Sequence, residues 1–558
     1  MPTFARDQIG TVLKKRVEAL VKGYRQNVGI IGSSGLGKTD FLSSAYREFS
    51  LQPSLICAYV QAESFDFESL VERWTGALLA GYCRSESLPA SISDSQGHSD
   101  KFEARIPKTL QSISRIRRQL HKEPAAVILR ELFALSGLIA QETSKKVILM
   151  LDEFQEIGTL PDADPFAVLG REIMVQTDTL YLVSSSHPER AREIFRDKLS
   201  LLFGNFEIME LRPFEFTETI DFISRHFPKT YFSTQQKKLL ISLTNGDPLY
   251  LDLILDRLKF YLSPETEQYV SDRLLFLAIQ EELFDRKGRI ALLFERMLDP
   301  VLRASKDGGA NLRVLLAVSE GRSRLSEIAS CAGRKTAETQ KILQRLVHED
   351  RVRKLGTFYV MEDPLFRFWL REVFQKKQRL CVPDEKSVCD ELMVSLREKM
   401  EVIEHDEKKD IPSRIERLFK EFRNDAVEVE TRKLKCPQFL EVAFRPAQGR
   451  FCSLAAKGSK DRWVCLVAEQ KVSEEDVLSF IEDLKRSRKK IQQKIIFTFE
   501  GIDQNAKLMA QAAQVQVLGL RELNSLFGLY DLPKLMIFED RNLHGSTVGP
   551  VAESIYSS

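Results

Sequence analysis

The chain has 558 residues, 43% of them apolar, and a formal charge of +2. It is too long for one core and carries no global field that would force it onto nucleic acid or a membrane. Its eight cysteines form no C-x-x-C and no Cys/His cluster at zinc-ligand spacing, which argues against a zinc module and fits reduced thiols in a cytoplasmic protein. No apolar run reaches the roughly 20 residues of a membrane helix, and MPTFARDQIG at the start has no secretory apolar core.

Residues 9–23 have the period of an amphipathic helix. Asn27 to Ile31 then reads as a short apolar strand that runs straight into Gly32-Ser33-Ser34-Gly35-Leu36-Gly37-Lys38-Thr39. That octet fits G-x-x-x-x-G-K-[ST], the phosphate-binding loop. Its glycines let main-chain N–H groups converge on phosphate oxygens, and a helix opening at Lys38 aims its positive end at the same anion. Lys38 is expected at the β- and γ-phosphates, with the Thr39 hydroxyl on Mg2+.

Leu55–Val60 predicts a second strand, and Phe67–Tyr82 a helix with Leu70, Trp74, Leu78 and Leu79 on one face. Residues 84–102, rich in Ser, suggest a mobile excursion, and 108–142 return to helical period. Val147–Leu151 is a run suited to a strand buried on both faces, and it ends in Asp152-Glu153. At the carboxyl end of a parallel strand Asp152 is placed to hold Mg2+, and Glu153 to polarise an attacking water. Thr179–Ser184 is another buried strand. The alternation over 27–212 predicts a doubly wound parallel sheet.

From 213 to 300 the period is helical only, with Gly246 and Pro248 marking a stop and restart. Residues 311–362 give three short helices and an alternating stretch with a turn at Gly356, the layout of a winged helix. This segment holds ten cations against five anions between 311 and 360. Lys341 and Arg345 fall on the helix 335–348, and Arg351, Arg353 and Lys354 on the wing. Cations so placed can neutralise DNA phosphates, and the competing use of such a segment is protein contact. A charged helical linker follows. A second α/β unit then has a helix at 412–424, strands near 438–444, 451–456, 463–469, 494–499 and 515–518, and a helix at 474–489. The tail from 541 is expected to be disordered.

Taken in order, GSSGLGKT at 32–39, LDEFQEI at 151–157, Ser184-Ser185-Ser186, Leu-Arg-Pro-Phe at 211–214, Gly246-Asp247-Pro248 and DPLFRFW at 363–369 resemble the archaeal-type ATPases, relatives of the STAND and AAA+ ATPases. The resemblance covers residues 1–370. It implies a P-loop ATPase core (1–212), a helical lid (213–305) and a winged helix (306–370), followed here by a linker (371–411). It also implies that Phe4–Asp7 packs on the adenine, that Ser184 or Ser185 senses the γ-phosphate, and that Pro248 lies in the segment closing on nucleotide. The family often carries an Arg after a Leu-Phe/Tyr-Gly triplet, where this chain has Asn205 after Leu202-Phe203-Gly204. An Arg there could stabilise transferring phosphoryl charge, so slow turnover is expected unless Arg190, Arg192 or Arg196 substitutes.

Residues 412–540 resemble the PD-(D/E)xK, or restriction-endonuclease-like, fold. Glu469-Gln470-Lys471 supplies E-x-K, with both charged residues projecting to one face of a strand. The upstream strand offers Cys452 or Ser453 where the pattern wants Asp, and neither is a good ligand for a hard metal. Glu416 matches only an accessory position. The expectation is a degenerate nuclease fold used for binding. For the whole chain it is a cytoplasmic ATP- and Mg2+-dependent regulatory ATPase contacting double-stranded DNA. An ATP-gated nuclease and a protein-scaffolding ATPase are the alternatives.

Overall fold

The computed structural model describes residues 7–62, 66–88, 105–159, 164–199, 204–262, 268–285, 287–303, 309–361, 363–379, 385–429, 432–446, 451–458, 462–486 and 490–536. Most of the Ser-rich stretch at 84–102, all but Asp7 of the Phe4–Asp7 segment expected to pack on adenine, and the tail from 541 lie outside these residues. The chain divides into two compact units, Met1–Lys354 with Tyr359–Leu396, and Leu355–Phe358 with Arg397–Ser558.

The first unit begins with helix α1 (Asp7–Val21), strand β1 (Asn27–Ile31), α2 (Lys38–Phe49), β2 (Leu55–Gln61) and α3 (Phe67–Ser85). Helices α4 (Pro107–Gln119) and α5 (Ala125–Thr143) lead to β3 (Lys146–Asp152), α6 (Pro165–Val175), β4 (Thr179–Ser185), a short helix α7 (Pro188–Glu193) and β5 (Phe206–Glu210). The five strands pair in parallel in the order β2-β3-β4-β1-β5. Strand geometry sends alternate side chains to opposite faces. Val147, Leu149 and Leu151 accordingly enter one core with Trp74 and Phe133, whereas Ile148 and Met150 enter another with Leu13, Phe41 and Leu42. A strand with a core on each side needs an unbroken apolar run, which is what 147–151 provides.

Helix α3 lies so close to β2 that a Cβ on Gly81 would come within 2.3 Å of the Cys57 carbonyl oxygen. Gly81→Ala is therefore expected to destabilise the unit by about 1–3 kcal/mol, read as a lower denaturant midpoint with unchanged slope. An unchanged midpoint would mean that α3 shifts without cost.

Beyond β5 come α8 (Phe216–His226), α9 (Thr234–Thr244), α10 (Pro248–Leu258), α11 (Asp272–Phe284) and α12 (Arg289–Arg303). The segment is not purely helical: β6 (Thr230–Tyr231) and β7 (Gln268–Tyr269) form a two-residue parallel pair, too short to leave a periodic signature. Three helices, α13 (Gly309–Ser319), α14 (Leu325–Ala332) and α15 (Thr336–His348), precede a hairpin of β8 (Arg353–Leu355) and β9 (Phe358–Val360). Helix α16 (Pro364–Trp369) follows, with Trp369 donating to the Leu283 carbonyl at 2.9 Å.

The second unit holds a hairpin, β10 (Asp425–Val429) with β11 (Arg432–Cys436), and a five-stranded sheet. In that sheet β12 (Phe439–Pro446), β13 (Phe451–Gly458) and β14 (Arg462–Ala468) are antiparallel, and β15 (Gln493–Thr498) and β16 (Gln516–Gly519) continue in parallel. Its core includes Phe419, Phe422, Phe439 and Trp463, with ring centroids 5.2–6.1 Å apart.

Among the described residues, no helix is long and apolar enough to cross a membrane.

Candidate nucleotide site

The site forms where β1 ends. Gly35 and Gly37 have φ of +85° and +77°, a region closed to most side chains, and this curls the loop so that α2 starts at Lys38. Gly32 is needed for a different reason: a Cβ there would lie 2.6 Å from the Leu211 carbonyl oxygen. Lys38 is only 3% exposed, and its ammonium donates to the Ser33 carbonyl at 2.8 Å, folded back across the loop.

Strand β3 carries Asp152 to the same edge. Thr39 Oγ1 and the Tyr59 hydroxyl each donate to Asp152 Oδ2 at 2.8 Å, and Ser184 Oγ donates to Oδ1. Three neighbouring elements thus converge on one buried carboxylate. Burial, and then the Asp152 charge, push the Tyr59 phenol well above its usual value, so it stays a donor. Thr39 and Asp152 offer hard oxygen atoms side by side, the donor chemistry Mg2+ takes. The loop amides and Lys38 fit a polyphosphate.

Glu153 sits in the left-handed region at φ +54°. Its carboxylate accepts from Ser186 N at 2.9 Å, from Ser186 Oγ and from Gln155 Nε2 at 2.7 Å. The expected sensor serines take different places. Ser184 bonds Asp152, and Ser185 exchanges bonds with the His187 backbone at 3.1 and 3.3 Å, while Ser186 meets Glu153. Tyr59 and Ser186 were not singled out from sequence. The adjacency of β2 to β3 and of β3 to β4 is what places them, and strand order is not written in any one motif.

Of the arginines near the family position, Arg190 donates to Glu156 and to the Gln155 carbonyl, directly behind Glu153. Arg192 pairs with Glu189 and Glu210, and Arg196 with Asp197. At Asn205 the carbonyl accepts from Asn27 N at 2.9 Å.

The helical segment reaches the loop through Asp247. Leu211 N donates to Ile31 O at 2.7 Å, and Phe214 N donates to Gly246 O at 2.9 Å. Gly246 has φ +76°, and a Cβ there would fall 2.1 Å from the Phe214 carbonyl oxygen. Asp247 then caps α10, accepting from Leu249 N at 2.9 Å and Tyr250 N at 3.4 Å. A Cβ on Gly35 would lie 3.0 Å from Leu249 and 3.5 Å from Asp247 Oδ1.

The five cations expected at DNA separate in the structure. Lys341 and Lys354 are exposed, and the Lys354 ammonium lies 5.7 Å from the Tyr359 ring centre. Arg353 is half-buried. Arg345 bonds the Asn311 side chain, and Arg351 turns inward toward Tyr250 and Asp363. Burial lowers the Arg351 pKa. Arg345 is held by the buried Asn311 amide, and Arg351 is half-buried among the charges of Glu349, Asp350 and Asp363. In the second unit Glu469 and Lys471 are both exposed, and Lys471 pairs with Asp503 at 2.5 Å. Glu416 pairs with Lys420 at 2.6 Å.

A parallel sheet in this order, with a glycine loop after β1 and an Asp closing β3 against that loop's Thr, is the arrangement of a P-loop α/β core. No family model matches the chain, and no curated protein matches it. Among solved structures it is similar to a Walker-type ATPase of Pyrococcus abyssi, at 15% identity and a TM-score of 0.47, over 66% of this chain and 95% of that one. It is similar to the ORC2 protein of Aeropyrum pernix, at 14% identity and a TM-score of 0.41, over 72% and 95%. RuvB of Thermotoga maritima follows at 12% identity and a TM-score of 0.30, over 68% and 96%.

Proposed function

We propose that the first unit binds ATP with Mg2+, hydrolyses it slowly, and uses the bound state to control residues 306–370, acting as a winged helix on double-stranded DNA. The observation that carries this reading is the contact of Thr39 with Asp152 at 2.8 Å, beside a glycine loop across which the buried Lys38 folds. When bound, Mg2+ would neutralise phosphate charge. Gly32, Ser33, Ser34, Gly35, Leu36 and Gly37 supply the amide cradle, Lys38 the cation, and Thr39 and Asp152 the metal ligands. Tyr59 and Ser184 fix the orientation of Asp152. Glu153 accepts a proton from water once it leaves Ser186. Residues 213–305 serve as the lid that closes on nucleotide. The site is tested by identifying the nucleotide retained on purification and measuring hydrolysis with and without duplex DNA. No retained or added nucleotide binding would end the reading.

For DNA, the reading takes the exposed Lys341 and Lys354 together with Arg353 between them on the wing, and leaves out Arg345, which bonds Asn311, and Arg351. Neutralising the three together is expected to lower the slope of log affinity against log salt by about 2–3. An unchanged slope, or no shift at low salt in the native protein, would favour the protein-scaffolding alternative. A nuclease role is set aside, since Lys471 is paired with Asp503 and Cys452 and Ser453 are poor metal ligands. The degenerate fold at 412–540 is assigned to binding, and the protein to the cytoplasm.

A further inference from the structure

Two half-buried carboxylates in the first unit, one of them against the phosphate loop, have no part in the chemistry above. Asp247 opens α10 and Asp363 opens α16, each accepting two main-chain N–H groups of its own helix. The Tyr250 hydroxyl donates to Asp363 Oδ2 at 2.5 Å. Asp247 meets the loop at Gly35. The charges acting on this pair come from each other, from α10 itself and from two further places in the chain. Lys38 of α2 and Asp363 act on Asp247, while Arg351, just before β8, and Asp247's own neighbour Tyr250 act on Asp363. Lys38 is a cation acting on Asp247, and it is the group a polyphosphate would claim.

We infer that Asp247 is a proton-binding member of the nucleotide site, so that a polyphosphate entering the Gly35 loop is bound together with one proton taken from solvent. The inference rests on the nucleotide reading above and adds to it. Anionic oxygen atoms brought next to Asp247 occupy Lys38 and leave two like-charged carboxylates beside a third negative group. Neutralising one carboxylate is the cheapest release of that repulsion. Burial, reinforced by Asp363, already pushes Asp247 up to about 7 without ligand, so the proton is available near neutral pH. The sign follows. Below about pH 6 Asp247 is neutral with or without nucleotide, and binding takes up nothing. Above neutrality the unliganded carboxylate is ionised, binding takes up a proton, and affinity falls by up to about tenfold per pH unit.

The test is calorimetric titration of the full-length protein with ADP and Mg2+ at pH 7.5–8 in buffers of different ionisation enthalpy. Repeating it from pH 6 to 8.5 gives the slope. Native protein is expected to take up between half and one proton at the alkaline end, and Asp247→Asn none. Asn caps a helix as well as Asp does, so α10 keeps its start. Asp363→Asn is the second variant. It removes the neighbouring charge, keeps Asp247, and is expected to move the onset of uptake to lower pH. The nucleotide's own titration is common to all three proteins and cancels in the comparison. Equal uptake in native protein and Asp247→Asn, or no uptake by the native protein, overturns the inference and leaves nucleotide binding intact. Absence of binding at every pH overturns the nucleotide reading instead.

Discussion

Glu153→Gln is expected to bind ATP as tightly as the native protein and to turn it over about 100- to 10,000-fold more slowly. The argument is geometric. Glu153 follows directly on Asp152 at the mouth of the loop, and its carboxylate has no cationic partner among the hydrogen bonds it makes. The amide of Gln keeps the size and can still accept from Ser186 N, so the loop is retained, but it cannot take a proton from water. The measurement pairs equilibrium nucleotide binding with single-turnover hydrolysis. A rate within a few-fold of native would remove Glu153 from the chemistry and turn attention to Glu156, which is held by Arg190.

Lys38→Ala is expected to lose at least about 100-fold in ATP affinity, the scale of a charge-assisted bond from a buried cation. Lys38 is almost fully covered, so no mobile surface lysine can take its place. In the absence of phosphate it is satisfied by the Ser33 carbonyl, which leaves the folded loop independent of ligand. Binding of a fluorescent ATP analogue reads the loss, with a thermal melt as the control for folding. Normal binding by Lys38→Ala would show that the loop is not the nucleotide site.

The parallel core was legible because its signals are local. A run such as Val147–Leu151 must be apolar throughout when both faces are covered, and Gly35 and Gly37 answer to backbone angles that few other residues reach. What escaped is of two kinds. The hairpin β10–β11 buries Val427, Val429, Leu434 and Cys436 but sets Lys433 and Lys435 between them, so its alternation reads as a charged loop. The helices Gln504–Ala512 and Leu520–Leu529 are short, and the first buries little beyond Ala506 and Ala510, whose side chains give hardly any apolar contrast. At the site itself, Lys38, Thr39, Asp152 and Glu153 stand within motifs. Ser186 and Asp247 also lie within motifs, but their partners, like that of Tyr59, appear only when strands pair and a helix begins against the loop, relations across dozens to hundreds of positions. The burial of Arg351 belongs with them in part, since Tyr250 and Asp363 on other helices act on it beside its own neighbours Glu349 and Asp350.

The backbone link from Ile31 through Leu211 and Phe214 to Gly246 has a mechanical consequence. Each joint is a main-chain bond, and at Gly32 and Gly246 the packing leaves no space for even a methyl group. Such a linkage is stiffer than a coupling made of long side chains, which would soak up a displacement by changing rotamers, so movement where strand β1 ends is expected to reach the start of α10.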